Sequence, residues 1–247
     1  MRQGRFKHAL TYIFACMLKC LLPKRWQITC NNLKTVFPDQ DSTVLAWKTY
    51  MHFVGMLLSI PRLDHTLKNT EFLIDDEALW SQCLQEDRVI VMTAHVGFWE
   101  ILPRFVGDNF KRPSHFFYRR SKIMNAQLLR WRQGKYLHAW DNQRQVKSAL
   151  QGFKQDGLMG MLADQGSGYK GSFFGLPMRF PSGPEKIVKR MQAPVYLLAI
   201  MCEEDHMRVF VKRLDAKAPQ ASFITQVEQL IKRYPEQYYW LTRLWKT

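Results

Sequence analysis

A histidine and a glutamate five positions apart, His95 and Glu100, stand where the chain changes character. Before them runs Val89-Ile90-Val91-Met92, short and wholly apolar, the pattern of a buried strand. After them the amphipathic run Ile101 to Phe105 predicts a helix within Phe98–Phe105. An imidazole oriented by a carboxylate is a general base with a fixed tautomer, suited to taking a proton from an attacking hydroxyl. Five positions on a regular helix leave two side chains roughly 140° apart. The spacing therefore expects His95 on the turn itself, with Glu100 in the first helical turns and pointing back at it. Gly97 between them permits such a turn. Taken alone, the same residues also fit a solvated turn followed by a helix-start carboxylate.

Around this turn the chain alternates. Strand-like runs recur at Val89–Thr93, Ser114–Tyr118, Leu158–Ala163, Val195–Met201 and Met207–Lys212. Helical patterns separate most of them, at Ile123–Gln133, Gln143–Lys154 and Pro184–Met191, with a last helix from Ala221 to Tyr234. Such alternation predicts an α/β fold, a mostly parallel mixed sheet flanked by helices. Met207–Lys212 alternates and is expected to pair as a hairpin with its predecessor. Ligands of such sheets bind beyond the carboxyl ends of the strands, which is where His95 falls. Asp41-Ser42 is the expected cap of a long apolar helix from Thr43 to about Ile60, stopped by Pro61.

The length of 247 residues suits a single domain over 1–247. A formal charge of +15 implies an anionic partner. No nucleic-acid motif accompanies the basic clusters, so nucleic acid is not the expected partner. The five cysteines are odd in number and form no C-x-x-C pair, and the histidines show no metal spacing. No metal site, disulfide framework or cofactor is expected, and a reducing compartment fits. The apolar run Ala9 to Leu22 has no small-residue cleavage site and is too short to cross a bilayer, which takes about 20 residues. Flanked by Arg2, Arg5, Lys7, Lys24 and Arg25, residues 1–24 read as an amphipathic helix lying in an anionic membrane interface, or docked on the domain.

Blocks that run in order along the chain narrow the reading. Ala94-His95-Val96-Gly97-Phe98-Trp99-Glu100 resembles the "GHxGNWE" block of the late (secondary) acyltransferases of bacterial lipid A biosynthesis. Asn32-Leu33 with Phe37-Pro38 is similar to that family's "NL…FP" segment, and Tyr118-Arg119 with Asn125 to its "YR…N" block. Asp164-Gln165 with Phe173-Phe174-Gly175-Leu176-Pro177 is similar to its "DQ…FFGxP" block, and Pro235-Glu236-Gln237 with Trp240 to its "PEQxxW" ending. Between them lie the basic run Arg130-Trp131-Arg132 and the pairs Gly183-Pro184 and Pro194-Val195. The chain departs from the pattern in carrying Phe98 for Asn, Gly166 for an acidic residue, and a shortened N-terminal segment.

The resemblance implies a glycerolipid-acyltransferase-like fold and transfer of an acyl group from an acyl carrier protein thioester to a hydroxyl of lipid A or a precursor. It implies action at the cytoplasmic face of the bacterial inner membrane. His95 would take the hydroxyl proton and Glu100 would orient His95. Arg119 would bind a phosphate or the developing oxyanion, or else be a surface arginine. Asp164, at the end of a predicted strand, would hold Arg119 or His95, or simply cap a turn. Arg130 and Arg132 would receive the acidic carrier. No nucleophile motif surrounds Cys83 or Cys202, so direct transfer is expected. Alternatives are glycyl transfer to lipid A, acylation of a glycerophospholipid, and a non-enzymatic basic membrane-binding protein.

Overall fold

A computed structural model describes residues 2–118 and 134–245. Its strands are β1 (Phe72–Ile74), β2 (Arg88–Thr93), β3 (Ser114–Tyr118), β4 (Leu137–Asp141), β5 (Gly157–Leu162), β6 (Gly168–Phe173), β7 (Leu176–Pro181), β8 (Val195–Cys202) and β9 (Met207–Arg213). Seven of them form one sheet in the order β1-β9-β8-β2-β5-β3-β4. Every neighbouring pair is parallel except the β8–β9 hairpin. The mostly parallel α/β sheet and that hairpin are as the sequence pattern predicts.

Side chains alternate across the sheet and so build two cores. Val89 and Val91 of β2 and Tyr196, Leu198 and Ile200 of β8 face one side, where Trp80, Phe105, Val106 and Phe110 cover them. These belong to helices α5 (Glu77–Gln85) and α6 (Leu102–Phe110). Ile90, Met92, Leu197 and Ala199 face the other side, against the helices Val146–Gln155, Gly183–Met191 and Pro219–Arg233. Central strands buried on both faces carry no polar alternation, which is why β2 and β8 read as continuous apolar runs.

The sequence pattern passes over β1, β4 and the β6–β7 hairpin. β1 is three residues long. β4 is an edge strand whose His138 and Ala139 are exposed. The β6–β7 pair turns through Phe174 and Gly175, both at positive φ (51° and 77°), the two-residue turn whose twist suits a hairpin. The expected helix Ile123–Gln133 lies outside the described residues.

The N-terminal part is a helical layer: α1 (Arg2–Leu21), α2 (Pro23–Val36) and α3 (Ser42–Ser59), followed by the short helix α4 (Leu63–Asn69). Asp41 caps α3, its carboxylate accepting from the N–H groups of Thr43 and Val44 at 2.8 and 3.2 Å. α1 docks on α3 through buried Ala15 and an edge-on contact between Tyr12 and Trp47. Ile13, Phe14, Met17 and Leu21 remain exposed on it. Among the described residues no helix is long and apolar enough to cross a membrane.

The C-terminal segment after residue 233 is fastened into this frame. Asn32 on α2 donates to the carbonyls of Trp240 and Thr242 at 2.8 and 2.7 Å. Trp240 is fully buried, packs edge-on to Tyr238 and Phe37, and donates its indole N–H to Pro235 O at 2.7 Å. Trp240→Ala leaves a large cavity and orphans that carbonyl, and should cost about 3–5 kcal/mol in denaturant unfolding. An unchanged unfolding midpoint would show that this segment bears no part of the fold.

Candidate active site

β2 and β5 are parallel neighbours with Thr93 opposite Leu162. The N–H of Ala163 donates to Thr93 O at 2.9 Å, carrying the alignment past the strand ends. The next residue but one on each side is His95 and Asp164, so the two leave the sheet together. His95 Nδ1 lies 2.9 Å from Asp164 Oδ1, and the backbone N–H of His95 donates to Oδ2 at 3.1 Å. The hydroxyl of Tyr238 donates to Oδ2 as well, at 3.1 Å. Asp164 is 1% exposed, His95 24%. A carboxylate only accepts, so Nδ1 carries the proton and Nε2 is left with its lone pair.

The loop that bears His95 is held from three sides. Gly97 sits at φ 60°, and a Cβ there would come within 2.0 Å of Ile200 O. The N–H of Gly97 donates to Gln237 O and that of Phe98 to Ile200 O, each at 2.7 Å, while Tyr239 N–H donates to His95 O at 2.9 Å. His52 on α3 meets Gly97 O at 3.1 Å, and Phe98 is buried edge-on against its ring.

These bonds correct the expected placement of Glu100. Gly97 at positive φ is followed by a turn, Ile101 N–H donating to Phe98 O at 3.1 Å, and not by a helix. α6 starts at Leu102 with Pro103 in its first turn, where a missing N–H costs nothing. Glu100 therefore lies in the turn before the helix, and the carboxylate in contact with His95 is Asp164. Glu100 acts on His95 through space. Burial disfavours the imidazolium, but the charge and hydrogen bond of Asp164, with the charge of Glu100, outweigh it and hold His95 above its ordinary value. Burial pushes His52 the other way, to about 4, and keeps it neutral.

His95 opens on a cavity of about 930 Å³ at the carboxyl ends of the strands. Phe53, Met56 and Leu57 of α3 form one wall, and Met161, Leu162, Gln165, Gly166 and Ile187 another. Trp99, Glu100 and Tyr239 lie between them, beside His95. A narrow apolar slot of about 90 Å³ shares Trp99, Glu100, Phe117, Tyr118, Met161 and Leu162 with it, and reaches Leu102, Phe116, Leu137 and Ala139.

The two residues that depart from the family pattern have local causes. A Cβ on Gly166 would stand 2.7 Å from the backbone N of Pro181, so this turn has no room for an acidic side chain. Phe98 points into the core beneath the loop and is not part of the cavity wall. Phe173 and Phe180 are likewise core, and Lys189 pairs with Glu185 at 2.6 Å on an exposed face. Arg119, Arg130 and Arg132 lie outside the described residues. Tyr238, Tyr239, Phe53 and His52 escape a local reading, because each reaches the site from a distant segment. The one sequence signal for Tyr238 and Tyr239 is the block Pro235 to Trp240 that encloses them.

A base must be neutral to act, so the rate of any reaction using His95 should fall as pH drops through a midpoint above about 6.5. Glu100→Gln removes an upward push and should move that midpoint to lower pH, and Asp164→Asn should move it further. Titration of the His95 ring by nuclear magnetic resonance reads both; an upward or absent displacement would contradict this electrostatic account.

A family model described as "Bacterial lipid A biosynthesis acyltransferase" matches residues 5–247. No curated protein matches the chain. Among solved structures, the 1-acyl-sn-glycerophosphate (LPA) acyltransferase PlsC from Thermotoga maritima aligns over 95% of this chain and 97% of that one, at 13% identity and a TM-score of 0.45.

Proposed function

The chain belongs to the bacterial lipid A biosynthesis acyltransferases, and from that premise we propose that it moves a fatty acyl group from a carrier-protein thioester to a hydroxyl of lipid A or a precursor, with His95 as general base. The observation that carries this reading is the His95–Asp164 pair, whose remaining ring nitrogen is available to a molecule in the 930 Å³ cavity. The acceptor hydroxyl gives its proton to Nε2 as its oxygen bonds to the thioester carbonyl carbon. The tetrahedral intermediate then expels the thiolate, and His95 returns the proton to the sulfur. Asp164 and Glu100 both stabilise the imidazolium that exists between these two steps. The base is thus supported by two carboxylates, one in contact and one through space. By its place in the family's "YR" block, Arg119 is the candidate donor to the oxyanion.

The size of the cavity and the apolar slot beside Glu100 favour a fatty acyl group over a glycyl unit, which needs only a short polar pocket. The acceptor side is read from the helical layer. Leu57 lines the cavity and is also 41% exposed, on the same layer as the exposed apolar residues of α1. Lys19 on α1 and Lys24 and Arg25 at the start of α2 adjoin those α1 residues in the sequence. This arrangement fits a lipid acceptor reaching the cavity from an anionic bilayer, the cytoplasmic face of the inner membrane. The charge of +15 fits an acidic carrier protein as donor, docked in this reading at Arg130, Arg132 and Lys135.

His95→Ala should lower kcat with a carrier-bound acyl donor by at least about a hundredfold, within the range expected for loss of a general base. Circular dichroism and the unfolding midpoint should be unchanged. A folded variant with near-normal turnover would remove His95 from the chemistry.

A further inference from the structure

Asp164 accepts hydrogen bonds from both His95 and a residue 74 positions further along, Tyr238. We propose that Tyr238 is a positioning residue that sets the basicity of His95: its hydroxyl draws charge from Asp164 and fixes the carboxylate, so that the imidazole is aligned without holding its proton too tightly. This rests on the reading of His95 as the base.

Tyr238 ties the two partners together in two ways. Its backbone bridges Val96, the neighbour of His95, and its hydroxyl reaches Asp164 Oδ2. The ring is 1% exposed, against Phe173 and Trp240. Burial and the charge of Asp164 keep the hydroxyl protonated far above the ordinary tyrosine range, so it remains a donor at every working pH. Behind it the donors run in one direction. Thr242 Oγ1 donates to Gln165 Oε1 at 3.2 Å, and Gln165 Nε2 to the Tyr238 oxygen at 3.4 Å. Each donor in such a chain strengthens the next.

The sign follows from competition for one carboxylate. Asp164 raises the proton affinity of His95 because its charge favours the imidazolium. A hydrogen bond from Tyr238 disperses that charge, so it works against the increase. Among the described residues, the other groups facing His95 are Glu100 on its own loop, the Trp99 and Tyr239 rings at 5.6 and 6.0 Å, and neutral His52 behind Gly97. None of these donates to Asp164 in the way Tyr238 does. A base left too strong would be protonated, and idle, at neutral pH.

Tyr238→Phe removes one oxygen and keeps the ring. In the full-length protein, the His95 titration midpoint, read by ¹⁵N resonance, should rise by about a few tenths of a pH unit to one unit. At pH 7 kcat should fall roughly three- to tenfold with KM within about twofold, and the loss should shrink as pH rises. Gln165→Met weakens the donor behind Tyr238 and should move the midpoint the same way by less, which serves if the first variant does not fold. Trp240→Phe loosens the same segment without touching Asp164 and should leave the midpoint in place. A folded Tyr238→Phe or Gln165→Met protein titrating like the wild type, or an equal displacement in Trp240→Phe, would overturn the proposal. The titration needs no substrate, so a chain that transfers no acyl group would end the acyl-transfer reading while leaving this test intact.

Discussion

Thr93 faces Leu162 across two neighbouring parallel strands, and that register brings an imidazole and a carboxylate from opposite ends of 69 residues into contact. A slip of one residue in either strand would turn His95 or Asp164 to the other face of the sheet. The register is itself fixed by burial. Val89, Ile90, Val91 and Met92 are all fully buried, as are Leu158 and Met159 opposite them, so neither strand has a solvent face to slide toward.

A strand end is a poor place to hold a side chain, and the structure compensates with distant segments. The chain after Tyr234 lies along the His95 loop and takes up its free N–H and C=O groups. α3 adds His52 against Gly97 O, and Phe53 stacks on Trp99 and packs tilted against Tyr239. The layer that exposes an apolar surface thus also touches the loop carrying the proposed base. A general base gains from such rigidity, since proton transfer requires heavy atoms held within hydrogen-bond reach.

Much of this was readable in advance, and the misses share one cause. β2, β5 and β8 stand out because burial on both faces leaves unbroken apolar runs, and a parallel sheet follows from their alternation with helices. His95 and Asp164 could each be placed at a strand end. Which carboxylate meets His95 could not be read, because spacing along the chain favours Glu100 while contact depends on strand register. Tyr238 was hidden for the same reason, at 74 residues from Asp164. β4 and β6 were hidden for another: exposed Ala139 and buried Asp141 in β4, and Gly171 on the inward face of β6, break the apolar alternation that marks a half-buried strand.

The central claim is that the His95–Asp164 pair acylates lipid A. Mass spectrometry of lipid A tests it most directly, comparing cells that lack the protein with cells carrying the wild type or Asp164→Asn at equal abundance. The account predicts a lipid A species heavier by one fatty acyl group with the wild type, and its near-complete loss with Asp164→Asn. Lipid A of the same mass in all three strains, or the full product from Asp164→Asn, would contradict it.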